Sequence, residues 1–190
     1  MTNSESALTR IDPAIVGMID IVSSTPTIMG NPHQDHKDRA DLMAKIIRLM
    51  TDSLSAWATV VSFTGDGVVF YTDRRGTSVL PKMRSLSAVI EEDAGFRLHL
   101  RCGFAAGVIF HGSVGPGPNI VGVPVVEVAR LLQEKEWFLP DHDVCILATD
   151  GAANQGAQHR LWKGTDWGTV TDEWRPAGLG SLTVSVYRHT

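Results

Sequence analysis

Two carboxylates stand in sequence contexts that suggest metal binding. Asp20 lies within the apolar run 14–22, which predicts a buried strand, and Asp66 lies in 64–67, a typical hairpin turn between two further strands. A buried carboxylate without a partner is costly, so Asp20 needs either a cation or a solvated strand end. If the strand and the hairpin are neighbours in one sheet, the two side chains form an oxygen-ligand site for Mg²⁺ or Mn²⁺. Substrate phosphates would complete such a site.

The residues after Asp20 are candidates for phosphate binding. Ser23, Ser24 and Thr25 follow the predicted strand and precede a predicted helix at 35–55. Backbone N–H groups in such a turn, together with a helix N-terminus, can hold phosphate oxygens. Each carboxylate alone also has an ordinary explanation, because Asp20 could lie at a solvated strand end or pair with a basic residue, and Gly-Asp-Gly is good turn chemistry.

The remaining pattern predicts the elements that position these groups. Residues 1–11 are expected to form a flexible lead-in, and residues 12–190 a single domain. Further predicted helices lie at 79–92, 123–134 and 154–161, and further strands at 57–63, 68–72, 97–105, 107–111, 144–148, 167–171 and 181–188. Asn31 or Asp35 could cap the first helix. Hairpins mixed with crossover helices predict an α+β fold, with a mixed, mainly antiparallel sheet layered by helices around a ferredoxin-like core.

Composition and charge limit the classes of partner. The 190 residues are 43% hydrophobic and carry a net charge of −4, which argues against a broad surface for nucleic acid or anionic membranes. No apolar stretch reaches the ~18 residues of a membrane span, and the chain opens without a signal sequence, so a cytoplasmic protein is expected. Cys102 and Cys145 lie in apolar runs and are expected to be small buried hydrophobic residues.

Four segments, in order along the chain, resemble motifs of the class III adenylate and guanylate cyclases. MIDIVSST at 18–25 is similar to the first metal motif of the family, and TGDGVV at 64–69 to the second. GFAAGVI at 103–109 resembles the Gly-Ile-His-x-Gly strand pair, and GVPVVEVARL at 122–131 the helix with a transition-state arginine. The resemblance runs from about residue 14 to residue 188. It implies the class III cyclase fold and conversion of a nucleoside triphosphate to a 3′,5′-cyclic nucleotide and pyrophosphate.

The resemblance also implies roles for individual residues. Asp20, Asp66 and the Ile21 carbonyl would bind two divalent metal ions, Mg²⁺ or Mn²⁺, on one protomer of a head-to-tail homodimer with shared active sites. Arg130 of the other protomer would stabilise charge on the α-phosphate while the ribose 3′-hydroxyl attacks. Arg175 lies near the place of a basic triphosphate contact, although an exposed loop cation is an equal alternative.

Two base-reading positions depart from the family pattern. Ser62 stands where adenylate cyclases have Lys and guanylate cyclases have Glu. Asn119 stands where adenylate cyclases have Asp or Thr and guanylate cyclases have Cys. Val126 likewise replaces an Asn that contacts ribose. Small neutral residues could accommodate a pyrimidine. This pattern is similar to the Pycsar cyclases of bacterial antiphage defence, which make cyclic UMP or cyclic CMP for a separate effector protein.

Three functions fit this departure. The first is a pyrimidine cyclase, with UTP slightly favoured over CTP because neither position offers an acidic group to the cytosine amino group. The second is an adenylate or guanylate cyclase that reads its base through other residues. The third is a catalytically inactive module that only dimerises or binds a partner, but the presence of both carboxylates and of Arg130 argues against it.

Overall fold

One mixed sheet organises the chain. The computed structural model describes residues 8–22, 35–73, 79–95, 98–113, 118–138, 144–158, 162 and 168–189. Its strands are β1 Thr9–Ile21, β2 Thr59–Phe63, β3 Val68–Thr72, β4 Leu100–Ser113, β5 Pro118–Val121, β6 Val144–Thr149, β7 Gly168–Trp174 and β8 Leu182–His189. Its helices are α1 His36–Ser55, α2 Val79–Ala94, α3 Val123–Leu131 and α4 Asp150–Gln158, and a 3₁₀ turn at Lys135–Trp137 follows α3.

The strand order confirms the predicted fold class. Across the described part of the chain the order is β2-β3-β1-β4-β6-β8-β7, and β5 pairs with the far end of β4. β4 and β6 are parallel, whereas the other neighbouring strands are antiparallel. The fold is therefore α+β with a mixed, mainly antiparallel sheet. The long strands β1 and β4 lie at its centre.

Helices cover both faces of the sheet. On one face α1, α2 and α4 enclose the largest core cluster, in which Phe70 makes edge-to-face contacts with Trp57 and Phe104 at ring distances of 5.4 and 5.9 Å. Gly17 of β1 lies under these rings, and a Cβ there would come within 2.3 Å of Phe70 Cζ. On the other face α3 packs through Val128 and Leu131. The central strands are thus fixed by close packing on both sides.

Most predicted elements are present, with small shifts at their ends. α1 begins one residue after Asp35, whose side chain accepts a hydrogen bond from Lys37 N at 3.2 Å and so caps the helix. Asn31, the alternative cap, lies outside the described residues. α3 ends at Leu131, three residues before the predicted end, and α4 begins at Asp150, four residues before the predicted start. The strand β5 was not predicted.

Two predictions about β1 and β4 were wrong. β1 begins at Thr9, so residues 9–11 of the expected flexible lead-in are paired with β4. The segments 97–105 and 107–111, predicted as separate strands, are the single strand β4. Gly107, the expected start of the second of these strands, lies within β4, and its lack of a side chain makes room for α3, because a Cβ there would lie 3.0 Å from Pro124 Cγ.

The predicted cysteine environment is confirmed. Cys102 and Cys145 are 0% and 2% exposed, and neither forms a disulfide. Burial raises the pKa of the Cys145 thiol to about 11, so it stays protonated at neutral pH. Among the helices of the described residues, none combines the length and the apolar character that crossing a bilayer demands.

Candidate metal and phosphate site

The end of β1 and the turn between β2 and β3 lie side by side. Ile19, the residue before Asp20, pairs with the first residue of β3, so Asp20 lies level with the turn that carries Asp66. Gly67 makes this approach possible, because a Cβ at that position would lie 2.7 Å from the Ile19 carbonyl oxygen and 3.5 Å from Asp20 Oδ1. The two carboxylates predicted from the sequence are therefore brought together.

The surroundings of Asp20 disfavour its charged form. Its side chain is 13% exposed, and burial is the main cause that raises its pKa above the ordinary value. The hydrogen bonds from Arg101 lower the pKa, whereas the neighbouring Asp66 raises it. Two carboxylates that disfavour each other's charge are a setting in which a divalent cation is strongly stabilising.

Arg101 is a site residue that the sequence analysis missed. It lies opposite Asp20 in the β1–β4 register, and its Nε donates to Asp20 Oδ2 at 2.7 Å while Nη2 donates to the same oxygen. Its side chain is 19% exposed, and its guanidinium lies 5.8 Å from the ring centroid of Phe138. Little signal for it was present in the sequence, because Arg101 continues an alternation of Arg97 and His99 with apolar residues, which is typical of a strand with one solvated face.

The backbone after Asp20 is described only in part. Ile21 ends β1, and its N–H donates to Asp20 Oδ1 at 3.0 Å. The Ile21 carbonyl stays a predicted metal ligand. Ser23, Ser24 and Thr25 lie outside the described residues, so the phosphate-binding turn also stays a prediction.

The two predicted base-reading residues lie on strands that contact each other. Ser62 is in β2 and Asn119 in β5, and both are partly buried. Asn119 Oδ1 accepts a hydrogen bond from Ile120 N at 2.8 Å. A backbone N–H can only donate, so the atom of the Asn119 amide that faces it must be the oxygen. The Nδ2 amino group is therefore on the side of the amide that points away from Ile120 N.

The two predicted phosphate-binding arginines are exposed. Arg130 lies in the last turn of α3, where its Nη1 donates to Gln133 Oε1 at 3.2 Å. Arg175 follows β7 and forms an ion pair with Glu173 at 3.4 Å, between side chains that are 68% and 74% exposed. Such exposed contacts contribute little energy, so either guanidinium can change partners at small cost. Their predicted roles remain predictions.

The side chains at this end of β1 fit a cation that is shared with a substrate. Within the described ranges, no cluster of three or more His, Cys, Asp or Glu side chains could enclose a metal ion. Asp20 and Asp66 supply two hard oxygen ligands, which leaves positions for water and for phosphate oxygens. Mg²⁺ is bound in this way in many phosphoryl-transfer sites, through one or two carboxylates plus the substrate.

The fold is shared with solved nucleotidyl cyclases. No protein-family model and no curated protein matches the chain. The adenylyl cyclase CyaB from P. aeruginosa superposes with a TM-score of 0.71 at 15% identity, over 96% of this chain and 95% of that chain. The guanylate cyclase domain of RhGC from Catenaria anguillulae, solved in complex with GTP, superposes with a TM-score of 0.66 at 17% identity, over 94% of this chain and 97% of that chain. A dimeric guanylyl cyclase domain of RhoGC from Blastocladiella emersonii has a TM-score of 0.64 at 15% identity, over 97% of this chain and 99% of that chain. The chain thus has the class III cyclase fold.

The Asp20–Arg101 pair can be tested through the stability of the metal-free protein. We expect Asp20→Ala to lower the free energy of unfolding by about 2 kcal/mol, because it leaves a mostly buried guanidinium without its carboxylate. In chelator-containing buffer, urea unfolding of Asp20→Ala, Arg101→Met and the double variant should show a coupling of about 1–2 kcal/mol.

The exposed pair Lys37–Asp41, at 2.6 Å in α1, provides the control. The same cycle there should give a coupling below about 0.5 kcal/mol. Additive effects of Asp20→Ala and Arg101→Met would show that the two side chains do not stabilise each other.

Proposed function

We propose that this chain is a nucleotidyl cyclase that converts UTP, and less efficiently CTP, to the 3′,5′-cyclic nucleotide and pyrophosphate. The observation that carries the proposal is the juxtaposition of Asp20 and Asp66 at the end of the central strand of a class III cyclase fold. The solved relatives with this fold are adenylyl and guanylyl cyclases, and one of them was solved with GTP. A largely buried acid beside a second, partly buried one has a direct use in such a reaction and little structural benefit.

In this mechanism the chain positions the triphosphate and neutralises its charge. Asp20, Asp66 and the Ile21 carbonyl would hold two divalent cations, Mg²⁺ or Mn²⁺, which would offset phosphate charge and acidify the ribose 3′-hydroxyl. Ser23, Ser24 and Thr25 receive the phosphates through backbone N–H groups, and Arg175 adds a cation. The ribose 3′-oxygen bonds to the α-phosphorus, its proton passes to water, and the bond to the bridging oxygen of pyrophosphate breaks. Arg130 of the opposite protomer stabilises charge on the α-phosphate.

The orientation of the Asn119 amide supports uracil as the base. Its oxygen is occupied by Ile120 N–H, so its Nδ2 amino group is available to donate to a ligand. Uracil presents the O4 acceptor at the position where cytosine presents an amino donor, so this orientation matches uracil. The hydroxyl of Ser62 can donate or accept and suits either base.

Exposed apolar side chains support a shared dimer interface. Phe63, Val121, Val123 and Val126 are 56%, 38%, 57% and 46% exposed, on β2, on β5 and on α3, which follows β5 directly. β2 and β5 contact each other and α3 follows β5, so the three elements that carry these side chains are neighbours in the fold. A second protomer placed here would bury them and would bring Arg130, on the same helix as Val126, into its neighbour's site.

The proposal extends to the use of the product. Ser62 and Asn119 form the pattern that resembles the Pycsar cyclases. Cyclic UMP would then act as a second messenger in antiphage defence, through a separate effector protein that binds it.

Product identity is the direct test of this function. The purified protein is incubated with Mn²⁺ and with ATP, GTP, CTP or UTP separately, and the products are separated against 3′,5′-cyclic standards. We expect cyclic UMP as the main product. Asp66→Asn should lose at least about 100-fold in kcat because a metal ligand is removed. Asp52→Asn, the same change on the exposed face of α1, should keep full activity.

Each other result has a definite meaning for the proposal. Cyclic AMP or cyclic GMP as the main product would overturn the base assignment while keeping the cyclase chemistry. No product from any triphosphate would overturn the function itself and would favour a module that only dimerises or binds a partner.

Asn119→Asp should shift the base preference toward cytosine. One carboxylate oxygen can still accept from Ile120 N–H, and the other then faces the ligand as an acceptor instead of a donor. We expect the ratio of kcat/KM for UTP to that for CTP to fall by about tenfold or more. Asn154→Asp, on the exposed surface of α4, should leave the ratio unchanged. An unchanged ratio in Asn119→Asp would show that Asn119 does not contact the base.

Mixing two inactive variants tests the shared site. In a head-to-tail dimer, Asp66→Asn and Arg130→Met protomers combine into one doubly defective site and one intact site. Equal amounts of the two should recover about a quarter of the wild-type kcat, because about half of the dimers are mixed. Each variant alone is the control. Absence of recovery, with mixed dimers demonstrated by differential tags, would place Arg130 in its own protomer's site or outside catalysis.

A further inference from the structure

In this structure the protein itself occupies both oxygens of the Asp20 carboxylate. Oδ2 accepts hydrogen bonds from Nε and Nη2 of Arg101, and Oδ1 accepts one from Ile21 N at 3.0 Å. Oδ1 lies near the turn that carries Asp66, and Oδ2, the other oxygen that Asp20 can offer to a cation, carries the guanidinium. A cation bound there must therefore compete with Arg101.

The guanidinium is held firmly in this position. Arg101 faces Asp20 across directly paired residues of β1 and β4, and the two side chains are 19% and 13% exposed. Its guanidinium also contacts Phe138, a residue that is itself 8% exposed. Burial strengthens this charged hydrogen bond relative to one on the surface.

Arg101 cannot avoid the competition by losing its charge. An arginine side chain stays protonated in proteins, so a divalent cation on the same carboxylate oxygen would face a full positive charge a few ångströms away. Arg101 must move when the cation binds. A displaced guanidinium in a mostly buried place requires another anion, and the cation alone does not provide one.

We propose that Arg101 competes with divalent cations for Asp20, so that the cations bind weakly to the protein alone and bind strongly only together with a polyphosphate ligand. The inference rests on the proposed function for the metal site. The triphosphate supplies both the missing ligands of the cation and a new partner for the guanidinium. By linkage, the cation and the nucleotide each raise the affinity for the other by the same factor.

Binding of Mn²⁺ to the protein alone tests this competition without turnover. Free Mn²⁺ is measured by electron paramagnetic resonance during titration of the wild type and of Arg101→Met. We expect the Kd for Mn²⁺ to fall by about tenfold or more in Arg101→Met, because the competing charge-assisted hydrogen bonds are gone. The titration is repeated with 3′-deoxy-UTP, which lacks the attacking hydroxyl. This nucleotide should lower the Kd for Mn²⁺ by a much larger factor in the wild type than in Arg101→Met.

Three further variants make the test specific. Arg48→Met removes the same charge from the exposed face of α1 and should leave the Kd for Mn²⁺ unchanged. Asp20→Asn combined with Arg101→Met should abolish the gain, because the contested ligand is absent. Arg101→Lys keeps the charge but replaces the fork by a single ammonium group. It should bind Mn²⁺ a few-fold more tightly than the wild type does. It also allows the same measurement if Arg101→Met does not fold.

The results separate this inference from the proposed function. Mn²⁺ binding in Arg101→Met, and in Arg101→Lys, that is no tighter than in the wild type would overturn the competition, even if the wild type makes cyclic UMP. Tighter binding in these variants would support the competition even if no triphosphate is cyclised, and the failure would then fall on the cyclase proposal alone.

Discussion

The site depends on the pairing of β1 with β4, because this pairing places Arg101 directly beside Asp20. On its other side β1 pairs with β3, which brings the turn with Asp66 to the same end of the strand. Asp20 is therefore held between the guanidinium of Arg101 on β4 and the turn before β3 that carries the Asp66 carboxylate. A shift of one residue in either register would turn these side chains to opposite faces of the sheet. Close packing around Gly17 and Gly67 prevents such a shift, because neither position has room for a Cβ.

Local sequence signals predicted much of the site, and long-range pairing supplied what they missed. Asp20 was recognisable as a charge in an apolar strand, and Asp66 as part of a hairpin whose strands are close in sequence. Arg101 gave a weaker signal, because it lies in a segment where polar and apolar residues alternate. Its partner lies 81 residues away, and hydrophobic periodicity does not show which strands are neighbours. The continuity of β4 through Gly107 was missed for the same reason, since this glycine admits α3, a contact made across the fold. The role of Ser23, Ser24 and Thr25 remains a sequence prediction.

In the proposed function, the preference for a base rests on hydrogen-bond polarity more than on pocket size. Ser62 and Asn119 are small and neutral, which suits a pyrimidine but does not separate uracil from cytosine. The backbone N–H of Ile120 resolves the ambiguity of the Asn119 amide by fixing its oxygen, so a side chain that could donate or accept becomes a donor toward the ligand. This contact is local, between adjacent residues, yet composition alone does not show it because it depends on the side-chain rotamer.

The Asp20–Arg101 pair links stability to metal affinity. The largely buried Asp20 carboxylate and the neighbouring, partly buried Asp66 would repel each other in a metal-free protein, and the unfavourable charge would weaken the centre of the sheet. A guanidinium on Asp20 removes much of that cost, but it also weakens the binding of free cations by the same free energy. Strong metal binding without a nucleotide and a stable metal-free sheet are therefore opposing demands on the same carboxylate. A polyphosphate reconciles them because it carries enough negative charge to receive the arginine and to complete the coordination of the cation at once.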